Sequence, residues 1–225
     1  MPNLLVLLII LLHCSPLALD RYPHLLIVWN VGQGQWITYK DPQGFCWHID
    51  SGGEFFPKAS ITNLCRRQNY LQFTHSDRDH NRFRWWIQNN LSWSQKKSQH
   101  LASSKITHPK AHPLKNLSVL YSVKNWILIP GDNSIAAENL WLEQKTNWNL
   151  SLFRILILGH HGSRTSTGLH FLKKLDNLKL AIASSRFARH RHPHPETRSR
   201  LQKNKTPMLT TEQWGSVWIE IPSKD

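Results

Sequence analysis

Acidic residues and cysteines are both scarce in this chain. Among its 225 residues, 14 Asp and Glu stand against 28 Lys and Arg, which gives a formal net charge of +14. Such an excess favours binding to polyanions, such as nucleic acid or an anionic membrane surface, but does not identify a fold. The three cysteines include no Cys-x-x-Cys pair, which argues against a zinc site built from cysteines.

The chain also lacks an apolar run long enough to span a bilayer. Residues 4–12 are apolar, whereas a membrane-spanning helix needs about 20 such residues. The run resembles the hydrophobic part of a signal peptide, although no Lys or Arg precedes Arg21. We therefore expect residues 1–20 to be a signal-peptide-like leader or a membrane anchor, and the protein to be periplasmic, secreted or membrane-anchored through this segment. In an exported protein, Cys46 and Cys65 could form a disulfide.

Residues 21–225 are long enough for one large core, and we expect a single domain there. Predicted strands are HLLIV, FCWHID, NYLQF, LSVLYSV, NWILI, LFRILIL, LAIASS and VWIEI. Predicted helices are RFRWWIQNNLSW, ENLWLEQKTNWN and GLHFLKKLDNLK, whereas QKKSQHLASSKITHPKAHPLKN is typical of a mobile loop. The turn Gly32-Gln33-Gly34 indicates a hairpin or a tight break between the first strands. Strands in both halves with helices between them favour α/β layers.

A cluster of histidines and aspartates follows directly on a predicted strand. In FTHSDRDHNRF, the cluster comprises His75, Asp77, Asp79 and His80. At an extended strand end, the two-residue period puts the first three on one side, and a turn brings His80 round. Imidazole and carboxylate bind Zn²⁺ or Mn²⁺ where no thiolate is offered. The cluster therefore predicts two metals sharing one loop, although a lone His-x-Asp is also typical of a surface ion pair.

Two further strand ends carry residues of the same kind. Asp132 closes NWILIPGD, and such a carboxylate commonly bridges two metals. His160 and His161 follow LFRILILG, where one could be a ligand while the other donates a supporting hydrogen bond or packs. Each of these residues alone is also typical of a turn. Three such groups at three strand ends favour a metal centre.

Taken together, the motifs resemble a known family. VWNVGQGQWITY, HIDSGG, THSDRDH, NLSVLY, ILIPGD, ILGHHGSRTST and RHRHPHPE occur in the order and approximate spacing of the metallo-β-lactamase-like domain of the ComEC family of DNA-uptake (competence) proteins. The resemblance covers residues 25–221. It implies an α/β fold, the αββα four-layer sandwich, with the site at the strand ends. It also implies a metal-dependent hydrolase, a phosphodiesterase or nuclease that degrades the DNA strand not imported during uptake.

The resemblance also implies which residues form the site. It implies two divalent cations, Zn or Mn, and no organic cofactor. The metal-binding positions that match the family are His75, Asp77, Asp79, His80, Asp132 and one of His160 and His161. Asp79 could be a ligand or a proton acceptor. His192, which matches the histidine of the family's HPH segment, or His194 could give a proton to the leaving oxygen.

Arginines are frequent around the later motifs. They are Arg164, Arg186, Arg189, Arg191, Arg198 and Arg200. If they surround the site, they predict a phosphate-binding rim for DNA whose binding falls steeply with salt, whereas scattered surface charge would do much less. The resemblance suggests membrane-bound DNA-uptake machinery as a further partner.

Several positions depart from the family pattern. Asn30 and Gln35 stand where the family usually has aspartates, and NRFRWW follows His80 in place of an apolar residue and glycines. A third histidine for the first metal has no clear counterpart, although His108 and His112 lie near the right region. Two alternatives therefore stay open. The chain could bind nucleic acid without cutting it, or it could hydrolyse another substrate, because one fold supports many chemistries.

Overall fold

The computed structural model describes residues 24–94, 101–105, 117–144 and 147–222. The leader predicted for residues 1–20, as well as His108 and His112, lies outside the described residues. Within these ranges, no helix has both the length and the apolar character needed to cross a membrane.

Twelve strands run through the described parts of the chain. They are β1 (Leu25–Val28), β2 (Ile37–Lys40), β3 (Cys46–Ile49), β4 (Asn69–Gln72), β5 (Trp93–Ser94), β6 (Leu101–Ser104), β7 (Leu120–Val123), β8 (Ile127–Ile129), β9 (Ile155–Ile157), β10 (Leu180–Ala183), β11 (Met208–Thr210) and β12 (Val217–Glu220). They form two six-stranded sheets, ordered β12-β1-β2-β3-β4-β5 and β11-β10-β9-β8-β7-β6. Both sheets are mixed: β1, β2 and β3 pair antiparallel and β3, β4 and β5 parallel, while β8, β9, β10 and β11 pair parallel.

Within the described ranges, eight α-helices connect the strands. They are α1 (Lys58–Leu64), α2 (Arg78–Asn81), α3 (Arg84–Asn90), α4 (Ile135–Glu143), α5 (Leu169–Lys174), α6 (Phe187–His190), α7 (Pro195–Lys203) and α8 (Thr211–Trp214). Short 3₁₀ turns cover Leu150–Leu152 and Gly159–Gly162. The three predicted helices correspond to α3, α4 and α5, which are shorter than their apolar patterns.

The strands are apolar on both faces because each sheet is covered on both sides. In β9, Ile155 and Ile157 enter the core between the two sheets, whereas Leu156 packs on the helical side with Trp141 and Phe171. On the outer face of the first sheet, a third core holds Ile61 of α1 and Ile87 of α3, together with Trp29 and Trp36. Helices, two sheets and helices therefore form four layers, and the strands read as nearly continuous hydrophobic runs.

One sequence prediction is wrong at β6. Leu101–Ser104 falls inside the stretch predicted as a mobile loop, yet it pairs antiparallel with β7 at the edge of the second sheet. Its serines make the segment read as polar, while Leu101 packs against the core between the sheets. An edge strand with one partner needs less hydrophobicity than a central strand.

Cys46 at the start of β3 and Cys65 after α1 are joined by a disulfide, with their Cα atoms 5.6 Å apart. Both cysteines are buried in the core beneath α1. The pairing that the sequence left possible is thus present, and it ties the first helix to the sheet.

Breaking this disulfide should lower stability. The bond closes a loop with a sequence separation of 19 residues. A loop of this length gives about 3 kcal/mol by restricting the unfolded chain. The Cys46→Ala/Cys65→Ala variant should lose about that much free energy of unfolding in urea titrations run against the oxidised wild type. Equal urea midpoints for the two proteins would contradict this expectation.

Candidate metal centre

The predicted metal ligands meet at the carboxyl ends of parallel strands. His75 follows β4, Asp132 follows β8, and His160 and His161 follow β9. In open α/β sheets, the carboxyl ends of the strands are where ligands bind. The two sheets carry these ends to a common edge, so residues far apart in sequence become neighbours.

Four of the predicted ligands form a compact group. The ligand atoms of Asp79, His80, Asp132 and His161 all lie within 4.8 Å of one another. His80 Nε2 lies 3.1 Å from Asp132 Oδ1, and His161 Nε2 lies 3.2 Å from Asp79 Oδ2. His80 and His161 are buried, whereas Asp79 is partly open to solvent. This group has the composition and spacing of a divalent-cation site.

The other predicted ligands lie around the second oxygen of the same aspartate. Asp132 Oδ2 lies 3.7 Å from His75 Nε2 and 3.5 Å from His160 Nε2. His75 Nε2 is also 3.5 Å from Asp77 Oδ2, whose side chain is 57% exposed. Asp132 therefore lies between two clusters of donors, as expected of a carboxylate that bridges two cations. Both His160 and His161 face this centre, His161 from the buried side and His160 from the open side.

Hydrogen bonds at Nδ1 orient the buried imidazoles. His161 Nδ1 donates to the carbonyl oxygen of Ser184 at 2.9 Å, and His80 Nδ1 donates to Asp50 Oδ2 at 2.7 Å. His75 Nδ1 lies 3.0 Å from Thr74 Oγ1 and 3.2 Å from Ser118 Oγ. Partners at Nδ1 leave Nε2 directed at the centre, which is the arrangement of metal-binding histidines.

Asp50 is a site residue that the sequence analysis did not assign. It is fully buried and follows β3 in the HIDSGG motif. Besides His80, it accepts hydrogen bonds from Gln35 Nε2 at 2.7 Å and from the amide and hydroxyl of Thr74, each at 2.8 Å. An aspartate after a buried strand is the same signal that identified Asp132. Gln35, a departure from the family pattern, contributes here as a neutral donor.

The backbone of the ligand loop is fixed to the turns before it. The amide of Gln35 donates to the carbonyl of Asp79 at 2.9 Å, and the amide of Ser51 donates to the carbonyl of His80 at 2.6 Å. Gly52 lies so close that a Cβ there would overlap the carbonyl group of Asp79. The backbone of helix α2 can therefore pack against residue 52 only because glycine has no side chain.

A buried glutamate supports the loop after β9. His160 and His161 have positive φ angles of 49° and 58°, which are uncommon outside glycine. Glu138 of α4 accepts hydrogen bonds from the amides of Thr167 and Gly168 at 2.7 and 2.8 Å. Burial raises the pKa of Glu138 to about 7, against the effect of these amides. The glutamate therefore holds the far end of the loop that carries both histidines.

The histidine and aspartate side chains of the centre change one another's pKa values. Burial alone would raise the pKa of Asp132, but the neighbouring imidazoles, His80 first, hold it well below its usual range. The hydrogen bond with His161 lowers the pKa of Asp79 to about 2. Burial opposes the charge on His80, yet Asp50 and Asp132 raise its pKa well above the ordinary value. Burial, with the neighbouring His80, lowers the pKa of His75.

Several donor atoms at the centre have no hydrogen-bond partner among the described residues. They are His75 Nε2, His80 Nε2 and Asp132 Oδ1, all buried; the last two lie 3.1 Å apart as an ion pair that lacks hydrogen-bond geometry. Buried polar atoms are normally satisfied, and unsatisfied ones need an explanation such as an ion. Imidazole Nε2 and carboxylate oxygen are also the ligand types of Zn²⁺ and Mn²⁺. The residues present therefore fit divalent cations at this centre.

His192 lies next to these donors, and His194 has a structural contact. The His192 ring centroid is 6.0 Å from that of His160. Burial, together with His161 and His160, lowers the pKa of His192 to about 4. His194 instead caps α7, accepting the amide of Glu196 at 3.4 Å. Of the two predicted proton donors, only His192 is in contact with a predicted ligand.

The six arginines predicted to form the rim divide into three pairs. Arg186 and Arg189 lie 3.2 and 3.9 Å from the carboxylate of Glu54, so their charge is partly compensated. Arg164 and Arg191 are exposed. Arg200 donates to the carbonyls of Thr167, Arg164 and Ser166, and Arg198 donates to that of Pro193. Arg198 and Arg200 therefore stabilise the loops through backbone hydrogen bonds.

No protein-family model matches the chain, and no curated protein matches its sequence. Among solved structures, it is similar to the metallo-β-lactamase fold protein YhfI from Bacillus subtilis, with a TM-score of 0.53. The alignment covers 87% of this chain and 100% of that chain, at 9% sequence identity. This chain has the metallo-β-lactamase fold. The prediction of an αββα sandwich is confirmed, and the ComEC resemblance stays a prediction.

The role of Asp50 can be tested by removing its charge. Asp50→Asn should weaken Zn²⁺ or Mn²⁺ binding by about 10- to 100-fold, because the hydrogen bond that orients His80 loses its anionic acceptor. Competition with a chelating dye measures this affinity. Asp176→Asn, at an exposed aspartate, is the matched control and should bind as the wild type does. Wild-type affinity in Asp50→Asn would show that Asp50 has no part in metal binding.

Proposed function

We propose that this protein is a metal-dependent hydrolase, specifically a phosphodiesterase or nuclease that acts on DNA. The observation that carries the proposal is the convergence of histidine and aspartate donors on Asp132, with buried Nε2 atoms that have no other partner among the described residues. A purely structural cluster would satisfy these atoms within the protein. Here the Nε2 atoms of His80 and His75 instead lie 3.1 and 3.7 Å from the two oxygens of Asp132 without forming hydrogen bonds of ordinary geometry.

Two divalent cations bound there would supply a nucleophile by lowering the pKa of water, and would neutralise charge on phosphate oxygens. The chain's own residues hold the geometry. Asp50, Ser118 and Ser184 fix the imidazoles through Nδ1. Asp79, about 40% exposed at the open side of the centre, is placed to accept a proton or to bind a cation.

The surface beside the centre supports nucleic acid as the substrate. Arg186 lies 5.6 Å from the ring of Phe55, and its neighbour Phe187 is also exposed, at 48% against 49% for Phe55. Aromatic rings beside arginine are suited to stacking unpaired bases, while the charge of +14 attracts the phosphate backbone. Because Glu54 compensates part of the arginine charge, stacking should contribute strongly at this part of the rim.

The disulfide supports a location outside the cytosol. Disulfides persist in oxidising compartments and are rare in cytosolic proteins. We propose that the protein is exported, or is anchored through residues 1–20, and acts there on DNA, in keeping with the ComEC resemblance. In this role, it would degrade the strand that is not imported, beside membrane-bound uptake machinery.

Metal content and cleavage test the catalytic proposal together. The wild type should bind close to two equivalents of Zn or Mn and should cleave labelled single-stranded DNA, because Asp132 holds donors on both sides. The His75→Ala/Asp132→Ala variant should lose both properties. Elemental analysis and a gel assay on the same samples measure them, with His170→Ala, on the outer helix α5, as control.

Each other result has a distinct meaning. Neither metal nor cleavage, with DNA binding intact, would overturn the enzyme proposal and favour a non-catalytic nucleic-acid-binding protein. Two bound metals without cleavage of DNA would instead favour a hydrolase of another substrate.

The proposed stacking of bases on Phe55, beside Arg186, gives a separate prediction. Phe55→Ala should weaken binding of single-stranded DNA by about 1–3 kcal/mol, or roughly 5- to 150-fold, if one base stacks on the ring. Duplex binding should change little, because paired bases are not free to stack. Fluorescence anisotropy at fixed salt measures both affinities. Trp85, which is 72% exposed on α3, is the comparison. If Trp85→Ala weakened binding of single-stranded DNA and Phe55→Ala did not, the prediction would be wrong and the DNA would bind along α3 instead.

A further inference from the structure

Gln33 lies in the turn between β1 and β2 and contacts two later parts of the chain. The backbone amide of Arg186 donates to Gln33 Oε1 at 3.2 Å. On its other side, Gln33 Nε2 lies 3.5 Å from His192 Nδ1. The backbone amide of Gln33 donates to Glu54 Oε2 at 3.2 Å. The side chain is buried, so these contacts fix its position.

The directions of these hydrogen bonds determine where the ring proton of His192 lies. A backbone amide can only donate, so the oxygen of the Gln33 side chain must face Arg186. The side-chain nitrogen then faces His192, and an amide NH₂ group can only donate. Nδ1 of His192 must therefore accept, and the single proton of the neutral ring lies on Nε2.

We propose that Gln33 is a positioning residue that holds His192 as its neutral Nε2–H tautomer, which donates a hydrogen bond to a phosphoryl oxygen without transferring its proton. This inference rests on the proposed phosphodiesterase function. A neutral imidazole that gave up its only ring proton would become an imidazolate anion, which is far too basic to form here. His192 therefore stabilises negative charge on the phosphoryl group, and the sequence-based role of proton donor is replaced.

The same tautomer separates His192 from the metal ligands. Its ring is 6.0 Å from His160, close enough to compete as a further ligand. A protonated Nε2 has no lone pair for a cation, while Nδ1 is covered by Gln33. The glutamine thus leaves His192 available for substrate beside the centre.

The tautomer can be measured directly, without metal and without activity. Nitrogen-15 NMR of the histidine-labelled full chain should show a bare Nδ1 and a protonated Nε2 for His192, assigned by the loss of its signals in His192→Asn. In Gln33→Glu, the carboxylate can only accept, so the proton should move to Nδ1. Gln43→Glu, in an exposed turn, should leave the wild-type pattern. A protonated Nδ1 in the wild type, or an unchanged pattern in Gln33→Glu, would overturn the proposal.

Cleavage of two substrates tests the consequence for the reaction. Gln33→Leu keeps the bulk of the side chain and removes the donor, and should lower kcat by about tenfold, the value of one hydrogen bond. The loss should be equal for a dinucleotide and for a nucleotide nitrophenyl ester, because a donor to a phosphoryl oxygen acts whatever the leaving group. A loss confined to the dinucleotide, whose alkoxide leaving group needs a proton, would mean that His192 is a proton donor and would overturn the inference.

The phosphodiesterase function and the role of Gln33 can fail separately. If the wild type cleaves neither ester, the proposed phosphodiesterase function fails, and with it the role of His192 toward phosphate. The NMR result would still decide whether Gln33 sets the tautomer.

Discussion

The candidate centre depends on one buried negative charge, that of Asp132. A carboxylate with a side chain only 11% exposed is costly to desolvate unless opposite charges or hydrogen bonds compensate it. Here His80 and His75 approach its two oxygens at 3.1 and 3.7 Å, and His160 completes the set at 3.5 Å. His80, whose pKa is raised well above its ordinary value, compensates this charge, whereas His75 and His160, whose pKa values are lowered by burial, do so only in part. The charge balance of the whole centre, with Asp50, Asp77 and Asp79 nearby, therefore favours added cations.

The need to keep these charges in place explains much of the surrounding architecture. Side chains on flexible loops would collapse onto one another or turn toward water. Short loops at the carboxyl ends of parallel strands prevent this. The ends of each loop are fixed because the strands that they leave belong to two sheets packed on a common core. Gly52 allows the backbone of Asp79 to lie against the first sheet, and Glu138 secures the loop after β9 from the helical side. The fold thus positions these side chains through its own packing and hydrogen bonds.

Residues of the candidate centre whose signal is local could be predicted from the sequence, whereas those whose role depends on distant contacts could not. The cluster from His75 to His80 and the strand-end residue Asp132 could be recognised because a buried strand followed by histidine or aspartate is visible in a short window. Asp50 gives the same local signal and could have been identified from it. Glu138 could not, because a lone glutamate in a helical pattern is typical of a solvated face, and its partners Thr167 and Gly168 lie about 30 residues away.

The arginines also show what composition alone cannot supply. The sequence left open whether the six arginines near the late motifs form one rim or scattered surface charge, and their partners divide them. Arg200 donates to three backbone carbonyls, and Arg186 is paired with Glu54 across 132 positions of sequence. Such pairings depend on tertiary structure, and net charge cannot reveal them. Glu54 therefore offsets part of the positive charge of Arg186 and Arg189, which net charge counts in full.

The turn between β1 and β2 joins these separate features. Its two glutamines are neutral, and each serves as a donor to a group that is tied to the centre: Gln35 to Asp50 and Gln33 to His192. A carboxylate at position 35 would place two like charges in contact beside His80, which is unfavourable in a buried site. The amide satisfies Asp50 and leaves its charge for the histidine. The departure at position 35 is therefore compatible with a divalent-cation site, because the neutral amide satisfies Asp50, which orients His80, without adding negative charge.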